Sequence, residues 1–208
     1  MDPIDVINET AESGGDGAAA DLFRNRAALL IAMLAALLAI GGLGGGNATD
    51  DMIQSNIRAS DTWAFFQAKN MRQTAYEIAA DDLERRLAAG GMTGEVRIAA
   101  EKSLADYRAT IARYDDEPDP ARPGDPLAGE GKKQLAAQAR AHEAARGVAE
   151  ARDNNFDLAE VFLQLAIVLG SVAILVLSRP VLIASAACGV IGLAFTVNGF
   201  LLLVPLPG

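Results

Sequence analysis

Three stretches of this 208-residue chain carry no charged side chain: residues 27–46, 161–178 and 180–208. The first, AALLIAMLAALLAIGGLGGG, has 20 residues, enough at about 1.5 Å per residue to cross a hydrocarbon layer about 30 Å thick. The second has 18 residues, and the third is longer than a span requires. Only Ser178-Arg179-Pro180 separates the second from the third. Proline interrupts a helix and Arg179 keeps a charge at the membrane surface, so the pattern predicts an antiparallel hairpin turning at residues 179–180.

Between the spans the period changes. Ile53, Ile57, Ser60, Ala64, Gln67, Met71, Thr74 and Ile78 recur in alternating steps of four and three, the heptad spacing of a helix that packs along one seam. Gly90 and Gly91 end this helix, predicted over residues 50–89. A second, over 95–114, carries Val96, Ala100, Leu104, Tyr107, Ile111 and Tyr114 on one face. Residues 115–131 contain four prolines and form a loop. From Lys132, Ala137, Ala141, Ala144, Val148, Ala151, Asn155, Leu158 and Phe162 keep heptad steps with small residues, which let helix backbones approach closely. No proline follows before Pro180, so one helix about 70 Å long runs from water into the second span. The expected protein is an all-α membrane protein with three transmembrane helices, one N-terminal (24–48) and a C-terminal hairpin (161–178 and 180–206). A long helical, coiled-coil-like extramembrane stalk (49–160, its last helix 132–160) stands between them. Residues 1–23 form an acidic tail with too little apolar surface to fold alone.

Charge adds an orientation. Arg24 and Arg26 flank the first span and Arg179 the hairpin turn, while Asp50, Asp51, Asp153, Asp157 and Glu160 flank the other side. The positive-inside rule then favours a cytoplasmic N-terminus and Arg179 turn, with 49–160 on the far, periplasmic side of a bacterial inner membrane. A signal peptide cut near Gly46-Asn47-Ala48 is the competing reading. The long apolar core and the acidic leader favour an uncleaved anchor. The net charge of −9 argues against broad nucleic-acid binding. One Cys and one His exclude a disulfide framework and ordinary zinc sites. His142 has no ligand partner at suitable spacing. The acidic run Asp115, Asp116, Glu117, Asp119 lacks calcium-loop spacing and reads as solvated loop.

The remaining candidates are polar or small residues in the spans, because each intramembrane polar group needs a partner. A hairpin turning at 179–180 brings Gln164 and Asn198 to similar depth and sets Gly170 opposite Gly189. These residues are expected to fix hairpin register. Asn154, Asp157, Glu160 and Gln164 make a polar stripe descending into the second span. With Asn198 they give the alternative function, an ion channel or transporter subunit. Gly41-xxx-Gly45 and Gly42-xxx-Gly46, with Ala28, Ala32 and Ala36, offer close-packing faces on the first span.

Trp63, Gln67, Ala68 and Lys69 after the first span resemble a family of bacterial inner-membrane proteins of unknown function, as do Asp157-Leu158-Ala159-Glu160 before the second span and Asn198-Gly199-Phe200 near the end. The resemblance runs from about residue 24 and implies the same architecture with no mechanism. It directs attention to Trp63. With Phe66, Trp63 is expected to fill the centre of the stalk against the Ala-rich third helix, leaving Lys69 to bond carbonyls or pair with Glu143 or Glu150.

The sequence thus points to a structural or interaction protein rather than an enzyme. It has no catalytic constellation, cofactor site, metal site or evident small-molecule substrate. The partners expected are the bilayer and a second copy, or another membrane protein. The interaction residues expected are Trp63, Phe66, Gln67, Lys69, Ala144, Ala151, Asp157, Glu160, Gln164, Gly170, Gly189 and Asn198.

Overall fold

A computed structural model describes residues 3–205, with side chains from residue 17. The described residues form four helices: α1 (Pro3–Ala88), α2 (Gly94–Asp115), α3 (Lys132–Val176) and α4 (Arg179–Leu201). The described residues contain no strand, only an isolated antiparallel bridge between Pro118 and Gly129. Segments of α1, α3 and α4 are long and apolar enough to cross a membrane. The acidic tail expected not to fold alone over 1–23 is helical from Pro3 onward, as the start of α1; residues 1 and 2 lie outside the described residues. The glycine-rich stretch Gly41–Gly46 is helical too. As expected, α3 is a single 45-residue helix.

The chain divides into two units, Met1–Asp51 with Val148–Gly208, and Met52–Gly147. In the first, α1, α3 and α4 pack around Leu34, Leu163 and Ala166. The hairpin turns earlier than the proline suggested. Leu177 adopts a left-handed conformation (φ 51°), and the Ser178 N–H reaches back to the Ala173 carbonyl at 3.2 Å, which closes α3 as a Schellman-type cap does. Arg179 and Pro180 are already the first turn of α4. Proline is welcome there because its missing N–H would have no partner in that turn anyway.

That shift corrects two expectations. Gln164 does not meet Asn198. The Asn198 side chain donates instead to Asn155 Oδ1 at 2.7 Å and to the Val204 carbonyl at 2.9 Å. Gly170 and Gly189 do not oppose each other either. A Cβ on Gly170 would meet Ile31 of α1, and one on Gly189 would meet Leu34, also of α1.

In the second unit, residues 52–88 of α1, α2, the 116–131 loop and the start of α3 pack together. The inner face of α1 is the stripe Ala59, Phe66, Lys69, Gln73, Tyr76 and Ala80. All eight heptad residues from Ile53 to Ile78 lie exposed on the other side. The difference has a physical reason. The inner stripe holds Tyr76, whose ring Tyr107 and Tyr114 of α2 pack on, together with a lysine that organises the loop. Matching partners outweigh apolar count. On α3, Leu135 and Ala139 are buried, whereas Ala144 is exposed.

Candidate functional site

The first unit is closed by glycines facing large side chains. Phe156 is the main knob, 4% exposed. A Cβ on Gly44 would stand 2.6 Å from its ring, one on Gly199 2.8 Å, and one on Gly45 3.2 Å from its Cβ. Leu163 fills the space over Gly192 in the same way. Phe200 meets the Phe156 ring edge-to-face at 4.9 Å, a favourable aromatic geometry.

The Asn198-Gly199-Phe200 motif therefore has a clear physical reading. The amide ties α4 to α3, the glycine admits Phe156, and the phenyl covers it. Asn155 is 1% exposed and donates to the Ala151 carbonyl at 2.7 Å, so its Oδ1 is free to accept from Asn198. Ala151 is partly buried. Phe156 escaped the sequence reading. Its signal was the pairing of Asn-Asn-Phe at 154–156 with Asn-Gly-Phe at 198–200. The small faces of the spans are largely used inside the chain: Gly41 lies 3.7 Å, measured from its added Cβ, from Thr196. Gly42 and Gly46 face open space.

Asp157, Glu160 and Gln164 lie on the exposed side of α3, where Gln164 Nε2 donates to Glu160 Oε1 at 2.7 Å. Asn198 is engaged elsewhere, so the polar stripe and Asn198 do not form one path.

In the second unit Lys69 is the organising group, 6% exposed. Its Nζ donates to the Glu117 carboxylate at 2.8 Å and the Glu130 carbonyl at 2.5 Å, and stands 5.2 Å from the Tyr114 ring centre. The carbonyl bond was anticipated. The ion pair is with Glu117, not Glu143 or Glu150, because the loop folds back over α1. Glu143 accepts instead from the Trp63 indole N–H at 2.8 Å. Trp63 and Phe66 are half-buried and meet edge-to-face at 5.4 Å, while Gln67 points outward.

The acidic loop is more organised than a solvated run. Glu130 N–H bonds the Glu117 carbonyl at 3.0 Å and Asp119 N–H the Ala128 carbonyl at 3.1 Å. Gly129 (φ 127°) allows this closure, since a Cβ there would stand 2.2 Å from the Glu117 oxygen. The Gln134 side-chain hydrogen bond, then Lys133, hold the Asp116 carboxyl below its ordinary value of 3.8. The same contact raises Lys133 above 10.5.

A lowered carboxyl stabilises the fold above its unfolded pKa, and that contribution is lost as pH falls through the lowered value. A raised lysine acts fully below 10.5 and loses its effect as pH rises through the raised value. Hydrogen exchange should therefore show the Glu117 and Glu130 amides losing protection on the acid side below pH 3.8 and again in strong alkali. Constant protection across both limits would count against this latch.

No curated protein and no solved structure matches the chain. The residues that build both units, from Ala27 and Leu34 through Lys69 and Phe156 to Phe200, lie within residues 23–202. That stretch is matched by the model of a family described as a domain of unknown function (DUF4337), and the chain belongs to this family.

Proposed function

We propose that this protein is a non-catalytic, integral membrane structural and interaction module that self-associates through the outer face of α1. The carrying observation is that every heptad position from Ile53 to Ile78 is exposed. Ile53, Ile57, Met71 and Ile78 are each more than half exposed, although the chain's own helices supply partners to the opposite stripe. A seam of period 3.5 fits another helix of the same period, and a second copy carries one. Copies anchored in one bilayer run parallel, so Ile57, Ala64, Met71 and Ile78 stack in one set of layers. Ser60, Gln67 and Thr74 stack in the other, and polar layers of this kind fix register.

Covering what remains exposed of each large apolar side chain contributes about 1 kcal/mol, or about 8 kcal/mol for a pair of copies. Association itself costs about 4–15 kcal/mol. This face alone gives a concentration-dependent dimer, and confinement to a membrane strengthens it. In the same reading the membrane is a bacterial inner membrane, with residues 49–160 periplasmic and Arg24, Arg26 and Arg179 cytoplasmic.

Cysteine cross-linking tests the interface in a Cys188→Ala background, using a short bis-maleimide on native membranes. Met71→Cys and Ile57→Cys should yield dimers. Arg72→Cys, about 100° around the helix, should not. Equal yields at all three positions, or none, would refute the interface.

A further inference from the structure

The outer side of α3 repeats the heptad pattern inside a segment apolar enough to cross a membrane. Asp157, Gln164 and Ser171 recur every seven residues, and Val161, Val168 and Leu175 alternate with them. All six are exposed, and Leu175 is 83% exposed. The stripe lies across the helix from Ala159, Leu163, Ala166 and Ala173, which are buried against α1 and α4. Among the described residues no helix covers it.

A polar residue facing lipid leaves hydrogen-bonding capacity unused, at a cost in free energy. Ser171 satisfies its proton locally by donating to the Ile167 carbonyl at 2.9 Å. Gln164 does so only in part. One of its two amide protons goes to Glu160; the second proton and the carbonyl oxygen have no hydrogen-bond partner among the described residues. An amide with one donor and one acceptor to spare is complementary to itself: two such groups facing across a two-fold axis bond reciprocally.

We propose that this face of α3 docks against the same face of a second copy, with Gln164 of each chain bonded amide to amide. A parallel, in-register pair sets like residues against like. Valine, leucine, serine and glutamine all accept their own kind in such layers. The spacing of 3.5 gives a left-handed pair crossing at about 20°. The exception is Asp157, where two carboxylates meet. It precedes the apolar run by four residues, at the end where water screens the repulsion, and its removal should tighten the pair. This surface is separate from the α1 seam, and rests on the same reading that the protein spans a membrane and self-associates.

The test uses the full chain carrying Cys188→Ala, in native membranes, with Val168→Cys oxidised to a disulfide. A dimer is expected from Val168→Cys and not from Leu165→Cys, which is also exposed but lies off the stripe. Adding Gln164→Leu should lower the Val168→Cys dimer several-fold, and adding Asp157→Asn should raise it. No dimer at Val168→Cys, equal yields at Leu165→Cys, or a yield insensitive to Gln164→Leu would overturn the proposal. Met71→Cys cross-linking in the same membranes separates the two interfaces. If it persists while Val168→Cys fails, the α3 face is lipid-covered and association rests on α1 alone.

Discussion

Gly44→Leu will unpack the three helices of the first unit. Even the first added carbon would stand 2.6 Å from the Phe156 ring and 3.0 Å from Phe200. The ring has no room to retreat, because Gly45 and Gly199 border it on other sides. Overpacking of this kind costs about 1–3 kcal/mol for a small excess and more for a leucine, well above the roughly 1 kcal/mol that replacing a helical glycine returns. Phe156→Ala alone should cost about 3–5 kcal/mol through the cavity it leaves. Combined, the two changes should cost clearly less than their sum, since the leucine then occupies the vacated space. Denaturation in mixed micelles measures all three variants. Strict additivity would show that Gly44 and Phe156 do not share this space.

The second large effect is expected at Lys69. Lys69→Met removes the cation between the Glu117 carboxylate and the Glu130 carbonyl, leaving both without their shared donor. Removing one partner of a fully buried pair costs about 3–5 kcal/mol. Glu117 keeps 32% of its side chain exposed, so water recovers part of that and about 2–3 kcal/mol remains. The loss should be local. Limited proteolysis after Glu130, which precedes Gly131, should accelerate, while the unfolding of the first unit stays put. Glu117→Gln added to Lys69→Met should cost little more, because the pair is already broken. A loop that keeps its protease resistance without Lys69 would refute this account.

The architecture was legible because charge and apolarity are segregated so sharply along the chain. Uncharged runs, a proline-free stretch from Lys132 and a four-proline loop leave few alternatives for the helices. Contacts were less legible wherever a one-residue rotation about a helix mattered. The stripe Ile53, Ile57, Met71, Ile78 is richer in aliphatic side chains than its neighbour. The neighbour is buried because Tyr76 finds Tyr107 and Tyr114, and Lys69 finds Glu117, at separations of 31 to 48 residues that periodicity does not encode. The Asn198 partner was misplaced for a simpler reason. Pro180 opens α4 rather than forming the turn itself, and that moves every facing pair along the hairpin. Lys69 and Asn198 were both recognised as residues that matter. Their partners depended on chain geometry that the motif alone does not carry.

The division of the chain into units also orders events during synthesis. Residues 52–147 are continuous, so Lys69, Glu117 and Glu130 can come together as soon as the start of α3 has emerged. The other unit is assembled from two separate segments, one before residue 52 and one after residue 147. Gly44 is made more than a hundred residues before Phe156, and Asn198 and Gly199 come later still. The glycine notch of the first span therefore stays unfilled until Phe156 and Gly199 have been made. A nascent chain halted before residue 198 should contain a finished second unit beside a span that has nothing to close on. Asn198 and Gly199 supply the contacts to Asn155 and Phe156 that such a chain would lack.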